Sequence, residues 1–215
     1  MRNRSLQLLL VLAALAGCGP VATAAPIGAG SGVARQIRMS TGEDLARVLL
    51  NAGDLPPGWT ALMSATGNAA SQVTGCGATA SAGDRQAAVA FSRAMLGPYL
   101  AETLAVTPSA REMVERLRQV IAGCASVTVS PLDVPRMGDD STAFTLTVGI
   151  PGLTMRDCGG SPCGTGQGGF EMALHGQVVA VSHGETLMTV TVVGMSTLDT
   201  ATTVTIARTA LAKLG

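Results

Sequence analysis

The most constraining feature of the chain is a succession of strand-like runs, set off by tight-turn signals, in its C-terminal half. Ser126 to Val134 is followed by the turn sequence Gly138-Asp139-Asp140-Ser141 and then by Phe144, Leu146, Val148 and Ile150, apolar at every second position. Period-two alternation beside a Gly/Asp turn is the pattern of a β-hairpin. After a Gly-rich loop, 151–169, come two further β runs, Phe170 to Ser182 and Leu187 to Val193, with His183-Gly184-Glu185 as the connecting turn. Connections this short join antiparallel strands, because a parallel pair needs a crossover of a dozen residues or more.

The remaining elements follow from helical periodicity and from breakers. Ser40-Thr41-Gly42-Glu43 has the form of a capping box, and Leu45, Val48 and Leu49 continue it at helical spacing until Gly53, which predicts a helix over 42–52. Leu55-Pro56-Pro57-Gly58-Trp59 is a rigid corner, since two prolines remove donors and hold their predecessors extended. It delivers the only tryptophan, Trp59, either to the core or to the floor of a ligand site. Residues 88–93 and Leu100 to Val106 read as strands joined at Gly97-Pro98. A helix opens at Thr107-Pro108-Ser109 with Met113, Leu117, Val120, Ile121 and Cys124 on its apolar face and Arg111, Glu115 and Arg118 opposite. Ile206, Leu211 and Leu214 mark a closing helix from Leu198 onward, despite the β-branched run Thr202–Val204. The order α, β-β, α, β-β-β-β, α predicts an α+β domain, an antiparallel sheet with helices packed on one face.

The first 40 residues stand apart. Arg2 and Arg4 precede LLLVLAALAG, an apolar stretch of about ten residues, too short to cross a ~30 Å bilayer as a helix and typical of a secretory signal. Leu15-Ala16-Gly17-Cys18 reads as a lipobox, in which Cys18 takes a diacylglyceryl group and becomes the first residue after cleavage. Two acyl chains suffice for stable anchoring. Loss of residues 1–17 leaves 12 basic against 14 acidic residues, so charge adds no second anchor. Residues 19–40, rich in Ala, Gly, Pro and Ser without apolar periodicity, read as a tether with a reach of roughly 25 Å. The expected organisation is therefore a signal peptide at 1–17, a lipidated tether at 18–40 and one domain at 41–215. The expected location is the outer face of a cell membrane.

Four cysteines remain in an exported chain: Cys76, Cys124, Cys158 and Cys163. An even number in an oxidising compartment predicts two disulfides, with three connectivities open. Cys158-Gly-Gly-Ser-Pro-Cys163 can close on itself, which assigns Cys76 to Cys124. A four-cysteine zinc site would need two close CxxC knuckles, and none is present.

Other chemistry is sparse. His175 and His183 have no HExxH-type partner, and no GxSxG elbow occurs, so neither a metal centre nor a catalytic set is expected. Gly164-Thr-Gly166-Gln-Gly-Gly169 satisfies GxGxxG but lacks the preceding strand and following helix of a dinucleotide site. Asp139-Asp140 supplies only part of a calcium shell and reads as a solvated turn. No cofactor is expected. With 14 basic and 14 acidic residues, nothing supplies the clustered positive charge of a nucleic-acid binder.

Leu55-Pro-Pro-Gly-Trp59, Cys76-Gly77, the helix reaching Cys124, the Gly138–Ser141 turn and the paired late strands before a terminal helix occur in an order that resembles the PknH-like extracellular sensor domain. That family is found on actinobacterial receptor kinases and, without a kinase, in small lipoproteins. The resemblance spans roughly residues 41–215 and implies a disulfide-stabilised α+β fold with a ligand cleft. This chain has neither HRD nor DFG, so it carries no kinase of its own. The expected function is a non-enzymatic binding module for a small molecule, a lipid or an envelope fragment, with Trp59 as the candidate ligand-contacting residue. The alternatives are docking on an envelope partner such as a receptor kinase and an envelope enzyme using Asp139, Asp140 or Glu171.

Overall fold

Seven runs rich in Val, Thr, Ala and Leu form the strands of one sheet: β1 (Thr60–Thr66), β2 (Gln86–Ser92), β3 (Tyr99–Val106), β4 (Thr128–Pro131), β5 (Asp140–Met155), β6 (Phe170–His183) and β7 (Thr186–Gly194). The computed structural model describes residues 41–66, 85–95, 97–122, 127–155, 170–196 and 199–215. Every neighbouring pair is antiparallel, in the order β1-β2-β3-β7-β6-β5-β4. The first three strands form one meander and the last four another. The second meander returns so that β7 pairs with β3 along its length, from Tyr99↔Val193 to Val106↔Thr186. The helices are α1 (Gly42–Val48), α2 (Ala110–Ala122) and α3 (Thr200–Ala212), with a 3-10 turn at Ala52–Asp54. The α+β class and the antiparallel sheet agree with the sequence reading.

The helices, however, cover both faces rather than one. Phe91, Leu100, Leu104, Val179, Val181, Met188 and Val190 face α1 and α3 in the main core, which includes Leu45, Ile206, Ala207 and Ala210. Their sequence neighbours Ala105, Val178 and Leu187 point the opposite way and pack with Phe144, Val114 and Leu117 beneath α2. Adjacent pairs such as Val178-Val179 and Leu187-Met188 place apolar groups on both sides of the central strands, and a sheet so composed needs cover on both.

Local departures have identifiable causes. Helix α1 ends at Val48, because Leu49 turns extended and Asn51 caps the 3-10 turn, with Asn51 Oδ1 accepting from Gly53 N at 2.9 Å and Asp54 accepting from Asn51 N at 2.8 Å. The residue capping α1 is Thr41, whose Oγ1 accepts from Asp44 N at 3.2 Å. Strand β1 has no alternation to announce it and carries a bulge between Ala61 and Met63. Strand β5 runs on to Met155, where the glycines predict a loop from 151, with an irregularity between Gly149 and Thr154.

On α2, Val114 is fully buried, while Met113 and Leu117 are half-buried. Arg118, expected on the solvated face with Arg111 and Glu115, leans over β5 instead: it donates to Ser141 O at 3.3 Å and to Thr142 Oγ1 at 3.4 Å, and lies 3.7 Å from Asp140. Its aliphatic stem makes that crossing possible. The five cysteines, Cys18, Cys76, Cys124, Cys158 and Cys163, all lie outside the described residues, as do the signal and tether segments and the GxGxxG sequence.

Candidate functional site

Leu100, Glu102 and Leu104 share one face of β3, since alternate residues of a strand point the same way. The two leucines anchor that face in the main core, so Glu102 is carried in with them and has no exposed surface. A carboxyl so placed costs several kcal/mol unless it is bonded or neutralised. Both responses are present. Glu102 Oε2 accepts the backbone N–H of Leu50 at 2.6 Å. That N–H is available because α1 has stopped at Val48 and the next turn starts only at Ala52. Burial then pushes the Glu102 carboxyl up from 4.5 to about 7, outweighing the Leu50 hydrogen bond and the Lys213 charge, which pull it down. The Asp54 charge adds a smaller upward push. Glu102 Oε1 has no hydrogen-bond partner among the described residues.

The surrounding groups close the two ends of the domain on this carboxyl. Lys213, just past α3, donates to Asp54 Oδ2 at 2.5 Å. This bond is the chief reason that the Asp54 carboxyl lies below its ordinary value. Trp59 is delivered into the same core by the Pro-Pro-Gly corner, where Gly58 takes a φ of +101° that a side chain would resist. Only 8% of Trp59 is exposed, and its Nε1 has no hydrogen-bond partner among the described residues. Trp59 lies off the last rung of the meander, and Glu102 belongs to the second core-facing rung in, after Phe91↔Leu100 and opposite Val89. The main core thus holds an indole donor and a carboxyl oxygen that no described residue bonds, set among apolar side chains.

On the other face α2 packs over β5, β6 and β7. To its side, Ala88, Ala90, Ala101, Thr103, Thr189 and Thr191 remain half-buried, a smooth uncharged stretch of sheet. No three of His, Cys, Asp and Glu gather as a metal ion would require among the described residues, and none of the described helices is long and apolar enough to cross a membrane.

The chain matches no family model and no curated protein. The fold is similar to the extracellular domain of PknH. That crystal structure, of the Mycobacterium tuberculosis protein, superposes with a TM-score of 0.51 at 12% sequence identity, covering 81% of this chain and 96% of the PknH chain. At that identity the likeness to PknH is one of fold. It accords with the fold expected from the order of sequence motifs.

The other residues singled out in the sequence take positions of their own. Asp139 Oδ2 accepts from Gly184 N at 2.7 Å and so pins one turn to another, while Asp140 Oδ1 accepts from Ser141 N at 2.9 Å. His183 Nε2 lies 2.9 Å from Gly215 O, and His175 Nδ1 lies 3.4 Å from Thr147 Oγ1. Glu171 occupies the register position opposite Thr154, away from Asp139 and Asp140 at the start of β5. Glu102 and Lys213 are missed by the sequence reading. A glutamate at an inward position between Leu100 and Leu104 is the available signal for the first; nothing local marks the second.

Proposed function

We propose that the chain is a membrane-anchored extracytoplasmic lipoprotein whose domain, residues 41–215, is a non-enzymatic sensor or ligand-binding module. In this reading residues 1–17 are the signal peptide, Cys18 carries the lipid and residues 19–40 are the tether. The observation that supports the binding role is the pair of polar atoms in the main core, Trp59 Nε1 and Glu102 Oε1, that have no partner among the described residues. Buried donors and acceptors without partners are rare in native proteins, and each costs about 1–3 kcal/mol. A ligand with a hydrogen-bonding head and an apolar body, entering beneath α1, would satisfy both atoms and bury its remainder against the leucine-rich lining. A small envelope lipid has that chemistry. The likeness of fold to a receptor kinase's extracellular domain supports the sensor reading.

Native mass spectrometry of the mature protein, purified from an actinobacterial envelope in detergent, tests this. A discrete excess mass beyond the Cys18 acyl groups, removed by organic solvent and lowered in occupancy by Trp59→Phe, is the expected result. A bare mass that stays bare after incubation with envelope lipid extract overturns it. The second reading, docking on an envelope protein such as a receptor kinase, is favoured by the half-buried Ala and Thr face beside α2. In-cell crosslinking from a photoreactive residue at Ala101 distinguishes it, since a ligand-binding core gives no protein adduct there.

A further inference from the structure

Three large apolar side chains stand out from the described surface: Leu62, Met95 and Met195, exposed by 55%, 88% and 39%. They occur at one end of the sheet. Met95 lies in the turn between β2 and β3, and Met195 follows the last residue of β7, the strand that pairs with β3 at Tyr99↔Val193. Leu62 is the bulged residue of β1, two positions from the Thr60↔Ser92 rung that ends the same side. The turn holding Met95 is fixed by three hydrogen bonds: Arg93 N to Pro98 O and Gly97 N to Ala94 O, both 3.0 Å, and Tyr99 Oη to Met95 O at 2.5 Å. Its exposure is therefore built into the fold.

Most of the charge, of both signs, gathers at the opposite end. Glu112, Asp133, Asp139, Asp140 and Glu185 lie there, around the β6–β7 turn and the start of β5, interspersed with Arg85, Arg111, Arg118 and Arg136, and Asp54 is paired with Lys213. At the apolar end Arg93 is exposed, and no described residue forms an ion pair with it. Asp199 is engaged there in capping α3, and Glu171 is opposite Thr154 on the β5–β6 arm, which continues past the end of β7.

We infer that the end of the sheet carrying Leu62, Met95 and Met195 rests on the lipid surface to which the chain is tethered, with Arg93 among the headgroups and the charge-rich end facing away. The inference rests on the lipid-anchor reading. Under it, the 22 residues 19–40 reach roughly 25 Å, about the length of an eight-residue strand such as β3 at ~3.3 Å per residue. The domain is thus held within its own length of the bilayer, where a contact too weak to recruit a free protein is populated because of its high effective concentration. Methionine and leucine partition into the acyl boundary, and an arginine beside them suits an anionic headgroup.

The lipidated full chain is reconstituted into vesicles of phosphatidylcholine and phosphatidylglycerol doped with doxyl-labelled lipid. Met95→Trp is compared with Glu185→Trp at the opposite end, with Trp59 as a common background. A blue shift and loss of emission in the first variant but not the second is expected. Leu62→Trp repeats the test if Met95→Trp unfolds. Protein that floats with the vesicles while both probes stay unshifted and unquenched refutes the lipid contact but spares the anchor. Protein that does not float refutes both.

Discussion

Glu102→Gln separates the buried carboxyl's charge from its shape. In the folded chain this carboxyl titrates at about 7 against 4.5 unperturbed, so the native state holds a proton that the unfolded state has lost. Stability from this group is complete below about pH 4.5 and falls as pH rises to about 7, the sign required when a folded pKa is raised. At ~1.4 kcal/mol per pH unit over that gap, about 3 kcal/mol is lost by pH 8. The amide introduced by the substitution keeps an oxygen for the Leu50 N–H, and it cannot ionise. Wild type and variant should therefore have similar stability at pH 5, within the ~1 kcal/mol by which an amide N–H and a carboxyl O–H differ in such a site. At pH 8 the variant should be the more stable by up to ~3 kcal/mol, or roughly 6–12 °C in Tm for a domain of this size. Urea unfolding followed by Trp59 emission at pH 5 and pH 8 reads this directly, because Trp59 is the chain's one tryptophan and is buried. A wild type equally stable at both pH values, or a variant with an undiminished pH dependence, would refute the reasoning.

Lys213→Met should act on the acid side: Asp54, held low by Lys213, contributes stability that is present above its ordinary value of 3.8 and lost as pH falls, so the variant should show a shallower acid limb in the same urea series and an Asp54 carboxyl that titrates higher by NMR. Gly138→Ala should destabilise by at least ~2 kcal/mol in urea, because φ there is +58° and a Cβ would lie 2.4 Å from Ser182 O and 2.6 Å from Val181 Cγ1; Gly184→Ala, with φ +58° but nothing within 4 Å, should cost clearly less. Cys18→Ser should move the protein from the membrane to the soluble fraction, and continued detergent-dependent fractionation would remove the lipoprotein assignment. Peptide mapping without reduction should recover Cys76 joined to Cys124, a bridge worth ~4 kcal/mol on the chain-entropy argument.

Elements bounded by turn chemistry were legible in the sequence. His183-Gly184-Glu185 marked the β6–β7 hairpin, Gly138 to Ser141 the entry to β5, and Ile206 with Leu211 the face of α3. What depended on distant partners was not. Strand β1 sits at the sheet edge with Leu62 outward, so its residues show neither alternation nor a continuous apolar run. Val178-Val179-Ala180-Val181 is such a run, and two-sided burial of it requires helices on both faces. At the site, Leu100-x-Glu102-x-Leu104 contained the anomaly of an acid at an inward position. Its partner could not be read, because the Leu50 N–H is left over only by where α1 stops, and Lys213 meets Asp54 across 159 residues.

Glu102 also bears on which account of the core is adequate. A side chain at position 102 must offer one acceptor to Leu50, and an amide would do so without charge at any pH. A carboxyl leaves the fold no better off below pH 4.5 and worse by ~3 kcal/mol at pH 8. Packing alone therefore supplies no reason for an acid there, and buried ionisable groups are in general weak contributors to stability. A binding site does supply one. A group that is half protonated near neutrality can donate to a ligand's acceptor when neutral and accept from its donor when ionised, and the Trp59 indole in the same core offers a second polar point. On this account ligand occupancy should relieve the cost of the two unbonded atoms, so a bound molecule should raise Tm in the wild type by more than in Glu102→Leu, a variant in which the carboxyl contact is gone. Equal Tm increments in the two proteins would place the ligand elsewhere and return Glu102 to an unexplained feature of the core.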